Sequence, residues 1–336
     1  MGKRGGIDLG GTKIQAVVVA PRGAVLGETR VPTPTSGGPP DVVATMAEAL
    51  RKAAELAGVA TSELDGVGVG SPGAVADAEG TVAKARNLPD WEEPYPLRDT
   101  LAEELGVDVR LGNDVQVATD AEFALGAAKP YSSILGVFWG TGVGGGIVLN
   151  KKPWLGRSAA GEIGHVVVRI GGRRCPCGRR GCMEAYAGRL AMERRARKLQ
   201  ADGRKTDLFE IMEKRGRDRL TSGVWGRALD AGDEVAGELL DEAVEALGAG
   251  IASAVNLLDV EAVTIGGGMG LRLGEPYVDR IRSAMQPHLF VDTDPPAVHL
   301  AALGDLGGAI GASLLVKPSA RRPAVAASTE RAPSDK

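Results

Sequence analysis

Apolar residues along this chain come in two rhythms: short strand-like runs that end in glycine clusters, and longer stretches that repeat at helical spacing. The first segment, Gly6 to Val19, reads GIDLGGTKIQAVVV. An apolar run closes it, and a glycine turn carrying Asp8, Thr12 and Lys13 comes before that run. Pro21-Arg22-Gly23 turns the chain back into AVLGETRV, so the pattern predicts a hairpin rather than a strand followed by a helix. Residues 32–40 are rich in Pro and Gly and read as a loop. Asp41 to Leu56 is amphipathic, with Asp41 placed as N-cap and Gly58 just past the end. Leu64 to Val69 and Val107 to Leu111 read as strands. Ser71-Pro72-Gly73 breaks the first, and Asn113-Asp114 follows the second and opens a helix, VQVATDAEFALGAA. Ser133 to Asn150, SILGVFWGTGVGGGIVLN, reads as strand, glycine loop, strand. It repeats the arrangement of the first segment, which points to an internal duplication.

The second half continues the alternation. Ala185 to Leu199 predicts a basic helix, and residues 201–223 a short helix flanked by surface loops. Asp233 to Leu258 predicts the longest helix. Its stripe of Val235, Leu239, Val244, Leu247, Ile251, Val255 and Leu258 faces a core. Ala262 to Ile265 is a strand that runs into Gly266-Gly267-Gly268. Ala297 to Ala302 is the last strand and Asp305 to Leu315 the last helix. From about Lys317 the chain lacks periodicity and is rich in Ala, Pro, Ser and Arg, which predicts a disordered tail over 317–336. Strand hairpins alternating with helices indicate an α/β fold.

Composition narrows the partners. The 336 residues suffice for two α/β domains with substantial cores. Charged residues make up 25% and the formal net charge is −3, so nothing points to nucleic acid or a membrane surface. No run reaches the length of about 18 apolar residues that suggests a membrane span, and no N-terminal signal pattern is present. The expected compartment is the cytoplasm. The 49 glycines gather in short clusters, which suit backbone that must approach phosphates closely.

Candidate chemistry concentrates in Gly161 to Glu184, GEIGHVVVRIGGRRCPCGRRGCME. All three cysteines of the chain, Cys175, Cys177 and Cys182, lie there, with His165 upstream. Three thiolates and one imidazole complete a tetrahedral shell for zinc and leave no position open for water, which makes the site structural. Gly178 and Gly181 allow tight turns between the ligands, and Arg173, Arg174, Arg179 and Arg180 favour thiolates. An odd cysteine count at close spacing argues against a disulfide. Gly140, Gly142 and Gly145 fit G-x-G-x-x-G, yet a β-type run follows instead of a helix, so a dinucleotide site does not fit. The Walker pattern is absent, as are the protein-kinase H-R-D and D-F-G. Glycine hairpins can still present N–H groups and a threonine hydroxyl to phosphate oxygens, and Asp8 suits Mg²⁺ directly or through water. Asn113 and Asp114 suit helix capping. A carboxylate beyond a strand's carboxyl end also suits ligand chemistry in an open α/β sheet.

The string H-x₉-C-x-C-G-x₂-G-C-x-E resembles the signature of the ROK family (repressors, open reading frames and sugar kinases). The resemblance extends from Gly6 to roughly Val316 and is closest to glucokinase-like members. It implies an actin-like, ribonuclease-H-like fold of two domains around a cleft. The expected small domain is 1–112, completed by the terminal helix 304–316. The large domain is 113–303, with the zinc loop at 161–184. The resemblance implies that Asp114 is the catalytic base and that Gly73, Asn113, Glu162, His165 and Glu184 lie on the sugar. Arg86-Asn87-Leu88-Pro89 with Trp91 resembles the family's N-L-x-x-W segment near the same cleft. Asp8, Gly10, Gly11, Thr12 and Lys13 form the first phosphate loop and Gly140, Thr141 and Gly142 the second, with Gly267 and Gly268 in the adenosine segment. His165, Cys175, Cys177 and Cys182 hold structural Zn²⁺. The implied reaction is transfer of the γ-phosphoryl of ATP, with Mg²⁺, to the 6-hydroxyl of a hexose, glucose foremost. The alternatives are fructose, N-acetylmannosamine or N-acetylglucosamine as acceptor, polyphosphate as donor, and a non-catalytic sugar-responsive regulator. A repressor of this family carries a DNA-binding domain ahead of the first hairpin, where only five residues precede Gly6 here. The expected assembly is a homo-oligomer, dimer or tetramer.

Overall fold

The structure, a computed structural model, describes residues 2–85 and 87–317. Arg86 and the expected tail beyond Lys317 lie outside the described residues.

In the first half, β1 (Arg4–Leu9), β2 (Lys13–Val19) and β3 (Val25–Pro32) form an antiparallel meander. Helix α1 (Gly38–Leu56) leads to β4 (Val67–Ser71), a small hairpin of β5 (Ala74–Ala76) and β6 (Thr81–Ala83), α2 (Leu97–Leu105) and β7 (Val109–Asn113). The sheet runs β3-β2-β1-β4-β7, with β4 and β7 parallel to β1.

The second half repeats this plan. After α3 (Asp114–Leu125) come β8 (Ile134–Trp139), β9 (Val143–Leu149) and β10 (Lys152–Pro153). A long loop leads to α4 (Glu184–Ala187), α5 (Arg189–Ala201), α6 (Leu208–Lys214), α7 (Ser222–Asp230) and α8 (Glu234–Leu258). Then follow β11 (Ala262–Gly266), α9 (Gly267–Leu273), α10 (Glu275–Met285), β12 (Ala297–Leu300) and α11 (Gly307–Leu314). The second sheet runs β10-β9-β8-β11-β12, again an antiparallel hairpin edge beside two parallel strands. The duplication read from the two glycine hairpins therefore extends to the whole topology of both sheets.

Each half has its own core. Ile7, Leu9, Met46, Leu50, Val69 and Leu101 fill the first, and Val137, Trp139, Trp225, Leu247, Ile251 and Ile265 the second. The stripe on α8 is buried from Val235 to Val255, and Leu258 packs partly buried at its end. The helices that close each half sit on the opposite sheet. Helix α11 packs on β1 and β4, and α3 on β8 and β9. Glycines make this close approach possible. A side chain at Gly68 would run into the carbonyl of Ala312, and one at Gly144 would press Val115 at 2.7 Å.

Several boundaries differ from expectation. Helix α1 starts at Gly38, with Gly37 rather than Asp41 as N-cap, because Pro39 and Pro40 occupy its first turn, where a missing N–H costs nothing. Its end matches expectation, with Gly58 in the left-handed region just beyond Ala57. The basic helix over 185–199 is two pieces, α4 and α5, which break at Gly188. The 201–223 stretch holds α6 and the start of a second helix, α7. Strand β12 ends at Leu300 rather than Ala302. Helices α2, α9 and α10 and the β5–β6 hairpin had no expectation; all are short, although α10 is amphipathic and buries Val278, Ile281 and Met285.

Candidate active site

Parallel pairing aligns the carboxyl ends of β1, β4 and β7. Asp8 pairs with Gly70, and Ser71 at the end of β4 pairs with Asn113 at the end of β7. The Asn113 side chain caps α3, accepting hydrogen bonds from the N–H of Val115 and of Gln116, both at 3.1 Å. Asp114 is the first helical residue, and one of its oxygens also accepts from Val115 N–H at 2.9 Å. Capping is thus already supplied by Asn113, which leaves the second oxygen of Asp114 for other chemistry. Burial pushes Asp114 up to about 7, with the charges of Asp8 and Glu162 acting in the same direction. Burial also raises Asp8 to about 6; the nearby Lys13 opposes this and Asp305 adds to it. Two carboxyl groups at the ends of strands of one sheet are thus raised toward neutrality, each mainly by its burial. Gly73 lies two residues past β4, against Ala83 and Ala85.

Each glycine loop closes on a backbone bond donated by its first glycine. Gly10 N–H donates to the Lys13 carbonyl at 3.0 Å, and Gly140 N–H to the Gly142 carbonyl at 2.9 Å. These two glycines therefore shape their turns. The amides of Gly11, Thr12, Thr141 and Gly142 have no protein acceptor among the described residues. Thr33 braces the first loop, its hydroxyl donating to the Gly10 carbonyl at 2.6 Å. Lys13 pairs with Asp305 at 3.5 Å, at the approach to α11. On the other side, Gly267 adopts φ +79 where β11 passes into α9, and a side chain there would meet the Trp139 carbonyl at 2.5 Å. The Gly266–Gly268 turn therefore lies against the end of β8, with the Gly268 amide beside Gly140.

Beyond β9 the chain builds the cysteine cluster. The ligand atoms of His165, Cys175, Cys177 and Cys182 all lie within 4.8 Å of one another. Cys177 Sγ is 3.7 Å from Cys182 Sγ, and His165 Nδ1 is 3.7 Å from Cys175 Sγ. The edge of a tetrahedron of Zn–S bonds is about 3.8 Å, so these spacings fit one shared zinc ion. All three thiols are free, and 3.7 Å is far too long for a disulfide. Gly178 and Gly181 both have positive φ, as the turns between the ligands require. Burial pushes the Cys175 thiol well above the ordinary range, which a bound cation would reverse. With Nδ1 turned to the sulfurs, His165 Nε2 points toward Glu162 at 3.9 Å. Glu162 is largely exposed. Glu184 bridges the cluster and the second glycine loop: one carboxylate oxygen accepts from Val143 N–H at 3.0 Å, and the other lies 3.7 Å from Cys175 Sγ.

Sequence reasoning missed one buried residue of this region. Arg189, at the head of α5, donates to the Thr141 hydroxyl at 3.0 Å and to the Leu220 carbonyl at 2.8 Å. It sat within a stretch read as a basic solvated helix. The only available hint was Gly188 before it, which breaks that helix. No helix among the described residues is long and apolar enough to cross a membrane.

Comparison with known proteins agrees with this geometry. The model of the ROK family matches residues 4–319. Glucokinase from Halalkalibacterium halodurans is 32% identical over 315 residues, covering 93% of this chain and 94% of its own. N-acetylmannosamine kinase from Haemophilus influenzae is 32% identical over 312 residues, with 93% and 94% covered. The crystal structure of a ROK family glucokinase from Streptomyces griseus in complex with glucose and AMPPNP superposes with a TM-score of 0.80 at 33% identity, covering 94% of this chain and 99% of that one. Two α/β domains of duplicated topology, a His-Cys₃ cluster and these matches together establish that the chain belongs to the ROK family.

Proposed function

We propose that this protein transfers the γ-phosphoryl group of ATP to the 6-hydroxyl of a hexose, with glucose the favoured acceptor. The observation that carries the reading is Asp114, a carboxylate freed from capping by Asn113 and raised to about 7 beside Asp8 and Glu162. A sugar hydroxyl is a weak nucleophile, and a base titrating near the working pH is best placed to accept its proton. Most of the remaining work is positioning and charge neutralisation. Asn113, Glu162, His165 and Glu184, with Gly73 at the edge, would hold the sugar by hydrogen bonds. The free amides of Gly11, Thr12, Thr141 and Gly142 would take phosphate oxygens, with Lys13 beside the first loop. Gly267 and Gly268 would carry the adenosine. Mg²⁺, entering with the nucleotide, would be held near Asp8 and would neutralise phosphate charge. Zinc on His165, Cys175, Cys177 and Cys182 would fix the loop that presents His165 and Glu184.

The domain limits follow the same reading: 1–112 with 304–316 as the small domain, and 113–303 as the large one. A homo-oligomer acting in the cytoplasm remains part of the proposal. The second acceptor worth testing is N-acetylmannosamine, because a kinase for that sugar is as similar to this chain as the glucokinase is. A coupled assay of the purified protein with Mg·ATP across a sugar panel tests the reading. Glucose should give the highest kcat/KM. A preference for N-acetylmannosamine or fructose would reassign the acceptor, and no turnover with any sugar would overturn the kinase reading.

A further inference from the structure

We infer that Arg189 is the positioning residue of the second phosphate loop, aiming the Thr141 hydroxyl and placing a buried positive charge behind it. The inference rests on reading 140–142 as a loop that meets the nucleotide phosphates.

Arg189 is 9% exposed. No carboxylate among the described residues forms an ion pair with it. Glu193, one turn along α5, is engaged elsewhere: it pairs with Arg197 at 2.8 Å and accepts from Leu220 N–H at 3.1 Å. The charge of Glu193 still acts on Arg189, but no direct ion pair holds the guanidinium, and a buried cation held this loosely is costly unless a ligand adds a partner. Burial lowers the affinity of this guanidinium for its proton; Glu193 opposes this and Arg219 adds to it.

The hydrogen-bond geometry ties this charge to the loop. Arg189 donates through one nitrogen to the Leu220 carbonyl, which fixes the guanidinium plane, and through another to Thr141 Oγ1. A hydroxyl that accepts from an arginine keeps its own O–H free to donate. Thr141 is exposed at the tip of the loop, so this proton points to whatever occupies the site, and an acceptor-only phosphate oxygen suits it. The backbone reinforces the arrangement. Arg189 N–H donates to the Gly140 carbonyl and Leu190 N–H to the Thr141 carbonyl, each at 3.1 Å. The break between α4 and α5 thus clamps the loop, and the buried guanidinium acts on the nucleotide through one hydroxyl.

The test measures affinity for AMPPNP and for adenosine, which lacks phosphates, on the full-length parent, Arg189→Lys, Arg189→Ala, Thr141→Ala and the Thr141→Ala/Arg189→Lys pair. Lysine keeps the charge but cannot bond Leu220 and Thr141 in one plane. Arg189→Lys and Thr141→Ala should each weaken AMPPNP and raise KM for Mg·ATP about 10- to 100-fold, the range of one hydrogen bond to a charged group. Adenosine affinity, KM for the sugar and zinc content should stay within about twofold of the parent. The double variant should lose little more than either single, because both remove one linkage. Equal AMPPNP affinity in parent and Arg189→Lys would overturn the inference, as would losses that multiply in the double variant. If adenosine affinity falls as much as AMPPNP affinity, Arg189 is merely structural. A parent that binds adenosine but gains nothing from the phosphates of AMPPNP would instead overturn the phosphate-loop reading on which the inference rests.

Discussion

Replacing Asp114 by Asn should make the ligand-free protein more stable at pH 8 while it abolishes the proposed chemistry. This carboxyl rises from an ordinary 3.8 to about 7, first because of burial and then because of the charge of Asp8. A folded-state pKa above the unfolded one means that the native protein binds the proton more tightly. Stability is then fully present below about pH 4 and is lost as pH climbs through about 7. A rise of about three in pKa corresponds to about 4 kcal/mol, an upper bound. Asp8 is itself raised by burial, so its own charge is partly lost near neutral pH, and the half-buried position of Asp114 lets water screen part of the penalty. An expectation of about 1–2 kcal/mol is reasonable at pH 8. Asparagine keeps the size, can still accept from Val115 N–H and leaves the Asn113 cap intact. At about 2–4 °C per kcal/mol for domains of this size, the variant should melt about 2–8 °C above the parent at pH 8. The gain should fall to about a third near pH 5 and vanish below about pH 4. Thermal melts of both proteins from about pH 4 to pH 8, without Mg²⁺ or nucleotide, measure this. A difference that does not depend on pH, or a variant less stable at pH 8, would refute the electrostatic argument.

Two further outcomes follow from other parts of the structure. Cys177→Ser should lose about one zinc per chain by elemental analysis and weaken sugar binding, because the same loop presents His165 and Glu184; zinc-free parent protein with full sugar affinity would contradict this. Gly68→Ala should destabilise the protein by about 2–4 kcal/mol in urea unfolding, since its methyl group lands on the Ala312 carbonyl and α11 must lift off β4; an unchanged midpoint would show that the helix is not held this closely.

The repeated halves were legible because each begins with a glycine hairpin, and glycine clusters between apolar runs are rare enough to recognise. The zinc cluster was legible because its ligands lie within one segment, Gly161 to Glu184. The long α8 stripe was equally clear, since a helix of that length averages out local irregularities. What stayed hidden depends on contacts distant in sequence. Asn113 and Asp114 are both good caps, and only the structure assigns the cap to Asn113. The interaction of Asp8 with Asp114 needs the parallel pairing of β1, β4 and β7. Arg189 looks like any surface arginine until α5 is seen against the loop at Thr141. The proline-led start of α1 was misread because Pro39 and Pro40 signal a loop as readily as a first helical turn.

The claim at the centre of this account is that Asp114 takes the proton of a sugar hydroxyl during phosphoryl transfer from ATP. The direct measurement is kcat for parent and Asp114→Asn at saturating glucose and Mg·ATP, with glucose and AMPPNP affinities measured alongside. The account predicts a loss of about 10²–10⁴ in kcat, with both affinities and the zinc content retained. A kcat within a few-fold of the parent would contradict it and leave Asp114 with no role beyond the first turn of α3.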